Sequence, residues 1–405
     1  METQTVLLTT TYYPPYHTGG DAVYVRYLAR GLARLGHEVS ILHSVDAYKV
    51  AKGAHVPEGG VLEEDRALGI DITSIRSPFG KLSPYSAFIL GRSAWNRKQF
   101  DRTVERTEPD LVHHNNIYFL GADLLDAPGK YRRYHTIHDY WAVCPKRELT
   151  RGWKNVCQEP GRGCAVCLMR SGMPPQLWRR GRRLKDAFLG LDGMIAPSNY
   201  ARDVVGDWTG RKKSIRTIHN FSPENPYAGR VEKRDHVSFL FVGRIARKKG
   251  INELLDAMSE LKREGSERRL VVVGSGPLKT QVRSRVQNGL EGTVDCREWV
   301  DDDELARLFA RSSAVVIPSF WPDNNPIVVA EALAAGTPPI TSNWGGLPEV
   351  PRKIDRSLVF DDDGLVRTLR DFEPGGYDPS RLVRFHRENL SIDAYLKQYL
   401  KVIRG

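Results

Sequence analysis

The chain has 405 residues, with 60 lysines and arginines against 49 aspartates and glutamates, a formal net charge of +11. At about 100–200 residues per domain this length predicts two domains or three. A composition of 40% hydrophobic and 27% charged residues excludes a disordered chain, and the absence of any run of about 18 apolar residues excludes a membrane-spanning helix. The opening Met1-Glu2-Thr3-Gln4 carries no basic leader, so the expected compartment is the cytoplasm. The positive balance fits either plain solubility or an anionic partner such as a nucleotide, an acidic lipid surface or a nucleic acid. Five cysteines are too few for a disulfide scaffold in a chain of this length.

In chain order, Val6-Leu7-Leu8 reads as a buried strand, followed by a Gly/Pro-rich loop from Tyr12 to Gly20. Asp21 to Leu35 reads as a helix, with Val25, Leu28, Leu32 and Leu35 on one face, Asp21 as N-cap and Gly36 beyond its end. Val39–Leu42 supplies the next strand, completing a βαβ unit. Further strands are expected at Leu111–His113, around Tyr134–His138, at Met194–Ala196 and at Ile215–Ile218. The polar segment Glu224–Asp235 reads as a linker or a surface loop. The alternation then restarts with strands at Phe239–Val242, Leu270–Val273, Ala314–Ile317 and Pro339–Thr341. Helices are expected at Ile251–Leu261, at Ile327–Ala335 and, last, at Ser391–Ile403 with Tyr395, Tyr399 and Val402 on one side. Near-continuous apolar strands between helices fit parallel sheets covered on both faces. The chain is therefore expected to be α/β, with two doubly wound, Rossmann-like halves. If the halves face each other, a central cleft between the strand carboxyl ends is the expected active site.

The second half holds the densest chemistry. Gly243-Arg244, ending a strand, and Lys249-Gly250 bring two cations to the start of a helix, an arrangement suited to a diphosphate; a solvated basic loop is the alternative. Gly274 and Gly276 flank Ser275 after the next strand and offer backbone N–H groups, or simply a tight turn. Asp323 and Glu331 stand eight positions apart around a helix start. Carboxylates accept paired hydrogen bonds from vicinal hydroxyls of a sugar or ribose; a helix cap and a surface charge are the alternatives. The neighbours Val328, Val329, Ala332 and Leu333 argue that Glu331 is not on an exposed face. A further glycine turn, Gly345-Gly346, aims at the same region. In the first half, His113, His114 and Asn115 end a strand that should reach the cleft, so His113 is an acceptor-side candidate; a purely structural role is the alternative.

These motifs, in this order, resemble a family-4 retaining glycosyltransferase of the GT-B fold. The resemblance runs from Tyr13-Pro14-Pro15 and Gly19-Gly20, through Gly243-Arg244-x4-Lys249-Gly250, to Glu331-Ala332-Leu333-Ala334-x-Gly336. It implies a first domain of residues 1–223 and a donor-binding domain of residues 224–390, with the final helix, 391–405, packing back on the first. By this resemblance Arg244 and Lys249 neutralise the departing diphosphate, Glu331 holds the ribose hydroxyls and Asp323 contacts the transferred sugar. The family pattern is Glu-x7-Glu, whereas this chain has Asp323-x7-Glu331, one methylene shorter at the sugar. Backbone N–H groups of Asn324, Asn325 and Ile327 then face sugar or phosphate; Pro326 has none. Gly19 and Gly20 resemble the loop that approaches donor and acceptor, and His138-Asp139 the pair beside the reacting sugar. The resemblance implies retention, in which the leaving phosphate itself can take the acceptor proton; that suits a first half with no carboxylate clearly marked as a base for inverting attack. Catalysis is then electrostatic and positional, with no catalytic metal. The implied partners are a nucleotide-diphosphate sugar and a glycan, lipid-linked or small-metabolite acceptor.

Two segments fall outside that scheme. Cys144, Cys157, Cys164 and Cys167 lie within 24 residues, the last two as Cys-x-x-Cys, which fits a structural zinc site, free thiols or disulfides. The stretch Trp178–Lys185 carries Arg179, Arg180, Arg182 and Arg183 among apolar residues. It reads as a surface helix meeting anionic lipid or as a solvated face; no nucleic-acid-binding module is present. Two rival readings remain, a sugar-nucleotide epimerase or phosphorylase of like architecture and a non-catalytic nucleotide-sugar binding protein.

Overall fold

The computed structural model describes residues 3–17, 19–53, 62–152, 155–229, 236–298 and 300–404. Met1, Glu2 and residues 230–235 of the expected linker lie outside these. The chain divides into two compact units, one of Met1–Leu149, Cys157–His219 and Leu396–Gly405, the other of Thr150–Val156 and Asn220–Tyr395. The change of unit thus falls at His219 and Asn220. The last helix, Ile392–Arg404, belongs to the second unit up to Tyr395 and to the first from Leu396.

The first unit is built on a seven-stranded parallel sheet: β1 (Thr5–Thr9), β2 (Glu38–Ser44), β3 (Asp71–Ile75), β4 (Leu111–His114) and β5 (Arg132–Thr136) precede the two-stranded hairpin β6–β7 (Thr150–Arg151, Asn155–Val156), and β8 (Gly193–Ala196) and β9 (Ile215–Thr217) complete the sheet in the order β3-β2-β1-β4-β5-β8-β9. The order reverses between β1 and β4, the place where doubly wound sheets open a crevice at their carboxyl ends. Helix Gly20–Arg34 buries Val25, Leu28 and Leu32 as expected, but it ends at Arg34, so Leu35 swings out to 42% exposure. Its N-cap is Gly19, not Asp21, which lies in the first turn.

The second unit repeats the plan with six parallel strands, β10 (Ser238–Val242), β11 (Arg269–Val273), β12 (Val294–Arg297), β13 (Ala314–Ile317), β14 (Pro339–Ser342) and β15 (Val359–Phe360), ordered β12-β11-β10-β13-β14-β15. Alternate residues feed two cores. Phe239, Phe241, Val272 and Val316 pack on helix Ile251–Arg263 through Leu254, Leu255 and Met258. Leu240, Val315 and Ile317 pack on helix Ile327–Ala334 through Val329, Ala330 and Leu333. Burial on both faces explains why these strands read as unbroken apolar runs. Three edge strands, β3, β12 and β15, were not expected from the sequence. Among the described residues no helix is long and apolar enough to cross a membrane.

Histidine 113 corrects an expectation. It is fully buried on β4, with Nδ1 2.7 Å from the Tyr399 hydroxyl and Nε2 2.8 Å from Thr136 Oγ1. Its ring stacks on Tyr399 at 5.3 Å. Burial holds it neutral, well below its ordinary value, and a neutral imidazole has one donor and one acceptor, both of them spent here. It anchors the final helix rather than meeting an acceptor. Tyr399→Phe is expected to lower the unfolding free energy by about 1–3 kcal/mol by orphaning a buried ring nitrogen. Urea titration checks this; an unmoved midpoint would mean the bond contributes nothing.

Candidate active site

At the carboxyl ends of the second sheet the loops lie backbone against backbone. The loop after β10 and the loop after β11 are joined by hydrogen bonds from Ile245 N to Ser275 O at 3.0 Å and from Leu278 N to Ile245 O at 3.1 Å. Gly274, at φ +144°, has no room for a Cβ, which would overlap the carbonyl of Gly243. Gly274 thus serves loop packing, not the direct ligand approach expected of it. Gly243, at φ +151°, has open space where a Cβ would lie and keeps the approach side clear. One turn further on, Phe320 N donates to Lys248 O at 2.9 Å, and a Cβ on Gly250 would run into Pro318 O.

This packing brings Lys249 to the loop before helix Ile327–Ala334. Its Nζ donates to Asp323 Oδ2 at 2.6 Å, while Asp323 Oδ1 accepts the N–H of Asn324 at 3.0 Å. Two residues expected to meet the ligand separately therefore form one ion pair, with Asp323 buried and both its oxygens engaged. The Asn324 N–H, expected to face sugar or phosphate, is likewise already used. Asn325 sits at φ +100° and its carbonyl accepts from Asn220 Nδ2 at 2.6 Å. Ile327 opens the helix, so its N–H has no intrahelical acceptor. The indole of Trp321 lies 4.6 Å from Lys248 Nζ and 5.3 Å from Lys249 Nζ.

Around this pair, several buried polar atoms have no partner: both amide atoms of Asn324, Nε1 of Trp321, Oγ of Ser319 and Oδ1 of Asn220. Buried polar atoms are ordinarily satisfied, so this cluster at the strand ends is a set of donors and acceptors that a polar ligand could satisfy. Trp321, Ser319 and Asn220 were not among the residues expected there; the first two lie in the polar run between Pro318 and Pro326, and Asn220 follows the strand expected at Ile215–Ile218. Arg244 is exposed and, among the described residues, makes no hydrogen bond or ion pair. Glu331 is half-buried and equally unpaired, and burial, with Asp302 adding repulsion, raises its carboxyl from 4.5 to about 7.

The first unit gathers a second polar group after β1, β4 and β5. Gly19 and Gly20 open helix Gly20–Arg34, and the carboxylate of Asp21 accepts from Asn116 Nδ2 at 2.5 Å. His138 Nε2 lies 2.9 Å from Asn115 Oδ1, and its ring meets Tyr24 edge-on at 4.6 Å. Burial lowers His138 to about 3, so it is neutral, with Nε2–H donating and Nδ1 left as an acceptor. Asp139 takes the Trp141 N–H at 2.8 Å and Arg147 Nη1 at 3.3 Å. Arg147 was not foreseen. Its guanidinium stands 3.9 Å over the Tyr118 ring, Tyr118 shares a 2.8 Å hydroxyl contact with Tyr12, and against the cost of burial Tyr118, Asp139, Tyr12 and Asp21 raise its value and keep it charged.

The cysteines Cys144, Cys157, Cys164 and Cys167 are free thiols. Among the described residues no three His, Cys, Asp or Glu side chains are placed to share a metal ion, so the ligand set expected for zinc is not assembled.

Two parallel, doubly wound Rossmann-like units, each with its polar cluster at the strand ends, define the GT-B fold of glycosyltransferases. The family model described as Glycosyltransferase Family 4 matches residues 18–222 and that described as Glycosyl transferases group 1 matches residues 229–373; the chain belongs to these glycosyltransferases. It is 33% identical to a glycogen synthase of Mycobacterium tuberculosis over 96% of its own length and 90% of that protein. It is 24% identical to the MMP alpha-(1->4)-mannosyltransferase of Mycolicibacterium hassiacum over 82% of this chain and 80% of that one. The structure of HepE from Anabaena in complex with UDP-glucose has the same fold, with a TM-score of 0.67 at 14% identity over 99% of each chain.

The raised Glu331 carboxyl makes stability depend on pH. Between 4.5 and about 7 the folded chain binds a proton there that the unfolded chain does not. That contribution is therefore lost as pH rises through 7, by up to about 3 kcal/mol. Glu331→Gln should stabilise the second unit at about pH 8 and leave it nearly unchanged at about pH 4. Denaturant midpoints at both pH values check this; an equal shift at both would reject it.

Proposed function

We propose that this glycosyltransferase moves a hexose-type sugar from a nucleotide-diphosphate donor to a glycan, lipid-linked or small-metabolite acceptor, with retention, without a catalytic metal and in the cytoplasm. The observation that carries the donor half is the group of unpartnered buried polar atoms of Ser319, Trp321, Asn324 and Asn220 beside the unpaired Arg244 and Glu331. In this reading the ribose hydroxyls donate to the Glu331 carboxylate. The diphosphate draws on Arg244 and on Lys249, which Asp323 holds in place. Asp323 then acts on the sugar with its remaining lone pairs or through Lys249, so it positions as much as it binds. HepE, described with UDP-glucose, supports a sugar nucleotide as the donor class.

Retention is supported by the state of the first unit's carboxylates. Asp21 is bonded to Asn116, and both oxygens of Asp139 are taken by Trp141 N–H and Arg147. Each is thus already engaged by partners within the first unit. An oxygen of the leaving diphosphate instead takes the acceptor hydroxyl proton as the new C–O bond forms on the face being vacated. Arg244 and Lys249 stabilise the charge that builds on the diphosphate. The acceptor is aligned by the polar cluster that includes neutral His138, whose Nδ1 accepts a sugar hydroxyl.

A panel of nucleoside diphosphates and their sugars should give a thermal shift with one base. The shift should be lost in Arg244→Ala and Glu331→Ala. With that donor, turnover should fall by about 100-fold or more in Arg244→Ala, and the product should keep the donor's anomeric configuration by proton NMR. No shift with any nucleotide would reject the donor site; an inverted product would reject the mechanism alone.

A further inference from the structure

Helix Leu82–Leu90 in the first unit is inside out. Its inward positions are the small or polar Ser83, Pro84 and Ala87, and Ser83 is hydrogen-bonded to Ser93 and Asn96. Its outward positions carry the bulk: Leu82 is 68% exposed, Tyr85 43%, Ile89 38% and Leu90 56%, and Phe79 just before the helix is 62% exposed. Water selects the opposite arrangement. Large apolar side chains gathered on one exposed face mark an interaction surface.

The surroundings identify the chemistry of what covers it. From Ile72 to Phe100 the sequence holds Arg76, Lys81, Arg92, Arg97 and Lys98 and no acidic residue. From Pro160 to Lys185 it holds seven cations and again no acidic residue. The two stretches meet: Trp178 Nε1 donates to Phe88 O at 3.2 Å, and the Trp178 ring fills the space above Gly91. Leu177, next to Trp178, is 53% exposed. Lys81 and Arg180 are exposed and, among the described residues, pair with no carboxylate. Carboxylates from outside these stretches pair with some of the cations, Asp101 with Arg97, Glu159 with Arg162, Asp186 with Arg182 and Asp126 with Arg183; an apolar stripe edged by the excess that remains is the pattern of a surface that lies on an anionic bilayer, apolar tips in the acyl boundary and cations at the headgroups. A second copy of the chain is disfavoured, because a two-fold contact on this face would set its cations against their own images.

We infer that helix Leu82–Leu90 and the turn Leu177–Arg180 form a docking surface for an anionic lipid bilayer. This goes beyond the donor chemistry and stands whether or not that reading holds. It extends the basic stretch Trp178–Lys185 noted in the sequence, because the apolar half of the surface comes from a helix with no charged residue.

The test is co-sedimentation with vesicles of phosphatidylcholine alone and of phosphatidylcholine mixed with phosphatidylglycerol. The chain should partition onto the mixed vesicles at low salt and be released as salt rises. The double variants Leu82→Ser/Ile89→Ser and Lys81→Glu/Arg180→Glu should each weaken partition by about tenfold or more. Both should keep the parental melting temperature and nucleotide thermal shift, which separates loss of docking from misfolding and from failure of the donor site. The inference is overturned if the parental chain ignores anionic vesicles, or if neither variant changes partition. It is also overturned if the chain dimerises in buffer and Leu82→Ser/Ile89→Ser abolishes that.

Discussion

Backbone packed against backbone, with no side chain between, is the constraint on which the second unit's chemistry rests. The loop after β10 is pinned to the loop after β11 where Gly274 meets Gly243, and to the segment after β13 where Gly250 meets Pro318. A third approach sets Gly345 against Pro322 and Asp323, with Gly346 N donating to Asp323 O at 2.8 Å. These contacts come from loops far apart in sequence. Because they leave no slack, they set the distance between Lys249 and Asp323, and through it the position of every polar group nearby.

The Lys249–Asp323 pair is better understood as part of that scaffold than as two free reagents. Burying a charge pair is costly unless its remaining hydrogen bonds are satisfied. Here Asp323 is, by Lys249 and the Asn324 N–H. Lys249 keeps donors to spare and rests near the face of Trp321. The result is a cation whose position is fixed before any ligand arrives, the condition under which electrostatic stabilisation needs no reorganisation during reaction. Arg244, exposed and unpaired, has no such restraint, so the two cations differ in how much order a ligand must impose on them.

How much was legible followed from burial. Strands covered on both faces, such as Phe239–Val242 and Ala314–Ile317, announce themselves as apolar runs, and the glycines and carboxylates between them marked the second site in outline. The missed strands are edges: Asp71-Ile-Thr-Ser-Ile and Val294-Asp-Cys-Arg each mix apolar with polar residues because one side lacks a neighbour. Leu35 failed because periodicity extends past the point where the helix stops. His113 failed because a histidine at a strand end looks the same whether it faces a ligand or a tyrosine nearly 300 positions away in sequence. Arg147 and the orphaned amide of Asn324 could not be read at all, since both are defined by what folding does or does not place opposite them.

Five of the first unit's histidines, His43, His113, His114, His135 and His138, are held neutral by burial, four of them at about 3. In the unfolded chain they take up protons below about 6.5. Because the unfolded state binds more protons there, these histidines make acid draw the first unit open, and the raised carboxyls of Asp21, Asp123 and Asp139 act in the opposite direction. In the second unit His386 is lowered likewise, and Glu264, Glu298 and Asp378 are held low by Arg370, Lys279 and Ser380, so acid works against all four, while Glu331 is a carboxyl that acid favours in the folded state. Each unit thus carries its own set of groups on which acid works, buried neutral histidines in the first and the Glu331 carboxyl in the second, so the pH dependence of one is not that of the other.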